Sequence, residues 1–269
     1  MSSLRGKVIF ITGSTRGIGR EIALRAAKDG ASVVITGKTT AAHDKLPGTI
    51  YTVADEVIQA GGQALPIELD VRDELAINAA VKKTVERFGR IDVLVNNASA
   101  ISLTNTLATP AKKLDLMWQV NMRATFLMSQ ACIPHLLKAD GPHILTLSPP
   151  LNMQAKWFAP HLAYTVSKYG MSMCTLGLAA EFPEISVNCL WPKTTIATAA
   201  IKYNFPVEIL NASRQPAIVA DAAYQILTGK RGSGNFYIDE AVLRSAGVID
   251  FGQYAVSPGT PPFGDLFLD

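Results

Sequence analysis

The chain has 269 residues, of which 48% are hydrophobic and 17% charged, and its net charge is +3. This length and apolar content suit one large α/β domain with a substantial core. No block of lysine or arginine points to nucleic acid or an anionic membrane, and no apolar run reaches the ~18 residues of a membrane span. Met1–Lys7 leads straight into strand-like sequence without a signal peptide, and Leu266-Phe267-Leu268-Asp269 is not a peroxisomal tripeptide, so a cytoplasmic protein is expected. Cys132, Cys174 and Cys189 are widely spaced, and His43, His135, His143 and His161 form no ligand pattern. No metal is expected.

Val8-Ile9-Phe10-Ile11 marks a first strand over Lys7–Thr12. The turn Thr12-Gly13-Ser14-Thr15-Arg16-Gly17-Ile18-Gly19 follows it and opens a helix over Gly17–Asp29. A strand, a glycine-rich turn and a helix in this order form a cradle for a dinucleotide pyrophosphate. Gly13 permits the tight turn, Gly17 lets the backbone approach the phosphates, and Gly19 lets the helix pack closely on the strand. The phosphates then meet the positive end of the helix.

The second strand, Ser32–Thr36, ends in Gly37-Lys38-Thr39-Thr40, with no acid before Asp44. A carboxylate for the ribose diol is usual there in NAD-binding chains. Lys38 instead, with Arg16 on the same side, favours NADP(H) over NAD(H); two solvated cations are the alternative. The connection Thr39–Gly48 is long enough to fold over the adenosine. A helix over Tyr51–Ala60 and a strand over Ala64–Glu68 follow. Asp70-Val71 then places a carboxylate where the adenine amine would be.

A helix over Asp73–Phe88 leads to a fourth strand, Val93–Asn96, and to small residues in Asn97-Ala98-Ser99-Ala100 beside which a cofactor can pass. A long helix is predicted over Lys112–Leu137, a strand over His143–Leu147 and a helix over Ala163–Glu181. In that helix Tyr164 and Lys168 stand one turn apart on one face. A strand over Ser186–Leu190 precedes the small, apolar run Thr194–Ile201, which leads into a lid over Lys202–Pro216. A helix over Ala217–Leu227 and a strand over Asn235–Ile238 complete the pattern. Apolar strands alternating with helices predict a Rossmann-type doubly wound fold, with a seven-stranded, mostly parallel sheet covered on both faces. No linker interrupts it, so one domain over 1–269 is expected. The tail Ser257–Gly264 is too rich in proline and glycine for helix; it is expected either on a neighbouring subunit or disordered.

Thr12-Gly13-x-x-x-Gly17-x-Gly19, Asp70-Val71, Asn96-Asn97-Ala98, Asn121, Tyr164-x-x-x-Lys168 and Pro192, in this order and spacing, resemble the short-chain dehydrogenase/reductase family. Asn97–Leu103, Leu147–Asn152 and Leu190–Thr194 resemble its hydroxysteroid dehydrogenase-like protein 2 group, whose animal members carry a further sterol-carrier domain. This chain is expected to be a compact relative without one.

The resemblance implies roles. Tyr164 would donate the proton in reduction and accept it in oxidation. Lys168 would bind the nicotinamide ribose and lower the Tyr164 pKa. Asn121 would hold a water linking Lys168 to solvent. Gly13, Ser14, Arg16, Gly17, Ile18, Gly19, Lys38, Asp70, Val71, Asn97, Ala98, Pro192 and Thr194 would contact the cofactor. The helices bearing Met117, Phe126, Met128 and Ile133, and Met171, Met173, Leu176 and Leu178, would form the two-fold interface of a homodimer or homotetramer.

Two positions depart from the family pattern. Pro149, in Ser148-Pro149-Pro150, stands where the family's carbonyl-orienting serine usually stands. Either Ser148 reaches in, or Asn152 substitutes, or the polarising group is missing. Lys193 replaces the usual glycine after Pro192, and either contacts an acidic or acyl-carrying substrate or faces solvent. Met153, Trp157, Phe158 and Trp191 suggest an apolar pocket mouth. The implied activity is an NADP(H)-dependent oxidoreductase acting on a hydrophobic, lipid-like small molecule. The alternative is a cofactor-binding sensor or scaffold with little turnover, although a pure binder has no need of Tyr164, Lys168 and Asn121 together.

Overall fold

Seven strands lie side by side in a computed structural model that describes residues 3–42, 48–229 and 232–269. They are β1 (Val8–Ile11), β2 (Ser32–Gly37), β3 (Gln63–Glu68), β4 (Val93–Asn96), β5 (His143–Leu147), β6 (Ser186–Trp191) and β7 (Phe236–Ile238). Their order is β3-β2-β1-β4-β5-β6-β7. All six pairings are parallel, so the expected mostly parallel sheet is wholly parallel among the described residues. Ile11 pairs with Ile35 on one side and Val95 on the other. The strand order therefore reverses at β1, and the crevice beyond its C-terminal end is where such folds bind ligands.

Helices cover both faces. α1 (Gly17–Ala27), α2 (Ile50–Gln59) and α9 (Ala217–Thr228) lie on one side, with Ile9, Ile11, Val33 and Ile35. α3 (Glu74–Phe88) and α5 (Ala124–Leu136) lie on the other, with Val8, Phe10, Val34 and Ile144. Residues of alternating parity in one strand thus enter opposite cores, and the strand reads as an unbroken apolar run. The short helices α4 (Ala111–Met117), α7 (Ala199–Asn204), α8 (Val207–Asn211) and α10 (Asp239–Ser245) complete the set with α6 (Leu162–Glu181).

Two expectations change. The helix predicted over Lys112–Leu137 is α4 and α5 joined by a wider π-helical turn, Trp118–Arg123. That turn buries Asn121, whose amide bonds both backbone groups of Ala100. Apolar periodicity continues through such a turn, so sequence alone does not reveal it.

The C-terminal tail, expected on a neighbour or disordered, returns across its own chain. Gly264 pairs antiparallel with Thr194, Thr195 N donates to Phe263 O at 2.9 Å, and Asp265 N donates to Lys193 O at 3.1 Å. The tail thereby covers the backbone groups left open after β6 and buries Phe267. His43 and Asp44 lie outside the described residues, as does half of the connection expected to cover the adenosine.

Candidate active site

The glycine turn is shaped by its neighbours. Gly13 has φ +66°, and a Cβ there would meet Ala98 Cα at 3.0 Å. A Cβ on Gly19 would meet Asn97 Nδ2 at 2.5 Å and Gly13 O at 2.7 Å. Any side chain at either position would push the turn away from β4. Asn97 Nδ2 donates to Thr12 O and Gly13 O, both at 2.9 Å, which ties the turn to the end of β4. Ser14 is fully buried; its Oγ accepts from Thr36 N at 2.9 Å and donates to Ile11 O at 3.2 Å, a pin between β1 and β2. Helix α1 starts at Gly17 with no side-chain cap, so its first N–H groups point into the crevice with their partial positive charge.

A groove of about 510 Å³ runs from this turn past Gly37, Lys38, Asp70, Val71, Ala98 and Ser99. Arg72, which the sequence reading passed over, also lines it. Arg72 grips Asp70 in a fork, Nε to Oδ1 at 2.9 Å and Nη2 to Oδ2 at 2.5 Å. That bond, more than the nearby Lys38 charge, holds the Asp70 carboxyl well below the usual range. Lys38 is largely exposed, with Nζ 3.5 Å from Asp70 Oδ2. Arg16 is different: its Nη1 is buried without a hydrogen-bond partner.

The groove shares Asn97 and Ser99 with a smaller pocket of about 170 Å³ beside Tyr164. Tyr164 and Lys168 enter it from α6, Ile18 from α1, Pro192, Ile196 and Thr198 from the segment after β6, and Asp265 from the tail. Lys168 Nζ donates to Leu147 O at 2.6 Å and lies 5.1 Å from the Trp191 ring centre. Burial brings its ammonium down to about 7, against the charges of Cys189 and Asp265. Burial, and then the Asp265 charge, raise the Tyr164 phenol above its ordinary range. This direction is opposite to that expected from Lys168, because burial of the phenol comes first and the Lys168 ammonium is bonded to Leu147 O on β5. Asn121 Nδ2 donates to Ser167 Oγ at 2.9 Å, which joins the π-helical turn to the helix bearing Tyr164 and Lys168. Thr194 Oγ1 is buried with no partner.

A family model described as short chain dehydrogenase matches residues 7–206. The chain belongs to the short-chain dehydrogenase family. It is similar to hydroxysteroid dehydrogenase-like protein 2 of Rattus norvegicus, 58% identical over 99% of this chain and 51% of that protein. The human relative of the same name is 56% identical over 99% of this chain and 64% of its own length. The chain therefore spans between half and two thirds of these relatives. A solved Xanthomonas campestris structure is 52% identical, with a TM-score of 0.96 and 99% of both chains covered. A 7α-hydroxysteroid dehydrogenase solved with NADH and 7-oxo glycochenodeoxycholic acid is 29% identical over 88% of this chain and 93% of its own, with a TM-score of 0.76.

Against this short-chain dehydrogenase framework, the two departures have definite places. Ser148 is fully buried and its Oγ lies 3.0 Å from Cys189 Sγ on β6, away from the pocket lining. Asn152 is held on the surface, its Nδ2 donating to Asp269 Oδ2 at 2.9 Å. The Lys193 ammonium pairs with Glu240 Oε2 at 3.2 Å and lines neither groove nor pocket. Of the four residues expected at the mouth, Trp191 lines the pocket, whereas Trp157 and Phe158 pack behind it and Met153 is exposed. Asp265 and Leu266 took their place in the wall. Their only sequence signal was an apolar C-terminus after a Pro/Gly segment, which says nothing of where it docks.

Proposed function

We propose that this oxidoreductase moves hydride between a nicotinamide cofactor, NADP(H) in preference to NAD(H), and a carbonyl or secondary alcohol carbon of a hydrophobic small molecule. The observation that carries the reading is the buried Tyr164–Lys168 pair in a pocket continuous with the glycine-turn groove. The bound nicotinamide would supply or accept the hydride. Gly13, Gly17 and Ile18 would hold the pyrophosphate at the N-terminus of α1, Asp70 and Val71 the adenine, and Asn97, Ala98, Pro192 and Thr194 the nicotinamide half. The unpartnered Thr194 Oγ1 and the uncapped α1 fit such a ligand.

Tyr164 gives its proton to the substrate oxygen in reduction and takes it back in oxidation. Lys168 orients the cofactor ribose, and Asn121 keeps α6 in register with the loop after β4. Ile101, Ile196, Ile201 and Phe205 give the pocket a largely apolar wall, which supports a hydrophobic substrate. The oxo bile acid bound by the 7α-hydroxysteroid relative is of that type.

That relative binds NADH, so the cofactor preference rests on this chain's own charges. Arg16, Lys38 and Arg72 line the groove against the single carboxylate Asp70, and Arg16 has a buried donor left to satisfy. Calorimetric titration tests the preference. NADPH is expected to bind at least tenfold tighter than NADH, equivalent to ~1.4 kcal/mol; equal affinities would remove it. The same protein incubated with NADPH and a panel of ketones, keto-acyl thioesters and aldehydes tests the reaction. The position of Ser148 against Cys189 favours a second reading, a cofactor-binding sensor. It would bind NADPH and turn over none of the panel.

We infer a homodimer or homotetramer built on α5 and α6. Met117, Met128, Ile133, Met171 and Leu178 are spent in the chain's own core. Trp118, Phe126, Val166, Met173 and Leu176 stay exposed along one apolar face, a patch of the kind that covers itself by association. A monomer mass by light scattering would contradict this.

A further inference from the structure

Besides Tyr164, hydrogen-bond donor side chains in the wall of the pocket come from Asn97, Ser99, Lys168 and Thr198. The segment after β5 supplies none, because Ser148 Oγ faces Cys189 and Pro149 has neither a hydroxyl nor an N–H. An oxygen that gains negative charge as a carbonyl is reduced is stabilised by donors already in place, and one donor fewer costs a large factor in rate.

One carboxyl group enters the pocket from an unexpected direction. Asp265 is brought there by the C-terminal tail, and the tail is firmly held on both sides of it. Upstream, Gly264 pairs with Thr194 and Asp265 N donates to Lys193 O. Downstream, Trp191 Nε1 donates to Leu266 O at 2.9 Å. Phe267 is then wedged among the rings of Trp157, His161, Tyr164, Tyr169 and Trp191. Asp269 closes the strap on Lys156, Asn152 and Gln154. An acid placed this firmly in an apolar wall is part of the site.

We propose that Asp265 is a catalytic residue which, in its neutral form, donates a hydrogen bond to the substrate oxygen that Tyr164 protonates, and so fills from the tail the place that Pro149 leaves empty. The proposal rests on the oxidoreductase reading above. The groups that face Asp265 are Lys168 from α6, Asp239 from the start of α10 and its neighbour Leu266 N–H. Tyr164 shares its pocket. Burial comes first and, joined by Asp239, raises the Asp265 carboxyl to about 7 against the opposing Leu266 N–H and Lys168. A carboxyl kept neutral by an apolar site can donate to a developing oxyanion. Tyr164 gives up its proton in reduction; Asp265 keeps its own and only shares it, so no further proton is consumed.

The test is carried out on the full chain with NADPH bound. With 13C-labelled aspartate, and Asp265→Asn to identify the resonance, the Asp265 carboxyl is expected to titrate near neutrality. A midpoint near the ordinary ~4 overturns the proposal. On the panel ketone turned over fastest, Asp265→Ala is expected to lower kcat at least tenfold with NADPH affinity within twofold. Asp265→Asn keeps an N–H donor, and should recover part of the loss and flatten the fall in rate above neutral pH. An Asp265→Ala enzyme within twofold of the parent, or faster, overturns this proposal and leaves the oxidoreductase reading standing. Absence of any turnover by the parent chain overturns both.

Discussion

The ring of Phe267, the third residue from the C-terminus, lies 6.2 Å from that of Tyr164 on α6. The end of the chain therefore packs directly on the residue expected to move the proton. Phe267 is almost fully buried and holds φ +73°, in the left-handed region that bulky residues avoid. Its packing has to outweigh that strain.

Phe267→Ala should therefore cost about 3 kcal/mol or more of stability, the usual range for an emptied aromatic site. Urea denaturation at neutral pH checks this. A loss below ~1 kcal/mol would mean that the tail is only loosely seated.

Tyr164→Phe should nearly abolish turnover while leaving NADPH affinity within a few-fold, since the hydroxyl acts only as charge develops on substrate oxygen. General acid catalysis of this kind is worth roughly 10²–10⁴-fold. Lys168→Ala should damage both affinity and rate. Ser148→Ala, which removes only a contact to Cys189, should cost less than tenfold in kcat. A hundredfold loss there with normal cofactor affinity would place Ser148 in the reaction after all.

The cations in the groove should not be equivalent. Lys38 is exposed and shares Asp70 with Arg72, whereas Arg16 has a buried, unpartnered Nη1. Arg16→Ala should weaken NADPH more than Lys38→Ala does, with little effect of either on NADH. Lys38→Asp should shift preference toward NADH. Calorimetry with both cofactors decides, and equal losses for NADPH and NADH in Arg16→Ala would contradict the assignment.

His143 opens β5 with its imidazole largely buried; burial, then the Lys7 charge, lower its pKa to about 4. An unfolded histidine binds its proton near 6.5, so between these values the unfolded chain holds more protons than the folded one. This contribution to stability is full above about 6.5 and is lost as pH falls toward 4. Asp239 and Asp265, both raised by burial, slope the other way over much of the same range, so the comparison must be with a variant. His143→Gln should lose less stability than the parent between pH 7 and 4, by on the order of 2 kcal/mol. Parallel stability curves would show that His143 titrates normally.

Much of the framework was legible because buried parallel strands carry a strong local signature. All seven strands lie within a residue or two of their predicted limits, as in Val93–Asn96 and His143–Leu147. Tyr164 and Lys168 needed only one helical turn to share a face, and the glycine turn needed only its own spacing. These features depend on residues close in sequence, where backbone geometry and side-chain period act directly.

Long-range contacts decided the rest. Whether Ser148 met a substrate or Cys189 depended on how the end of β5 lies against β6. Whether Asn121 reached Ala100 depended on a π-helical turn that apolar periodicity does not mark. Asp265 and Phe267 were invisible as site residues, because what brings them to Tyr164 is the set of unpaired backbone groups after β6 and the ring of aromatic side chains around Phe267. The amino-acid pattern by itself determined a doubly wound dehydrogenase framework with its glycine turn and its Tyr164–Lys168 pair. The tertiary structure alone decided which carboxyl group shares their pocket, since only chain closure over a long sequence separation brings those groups together.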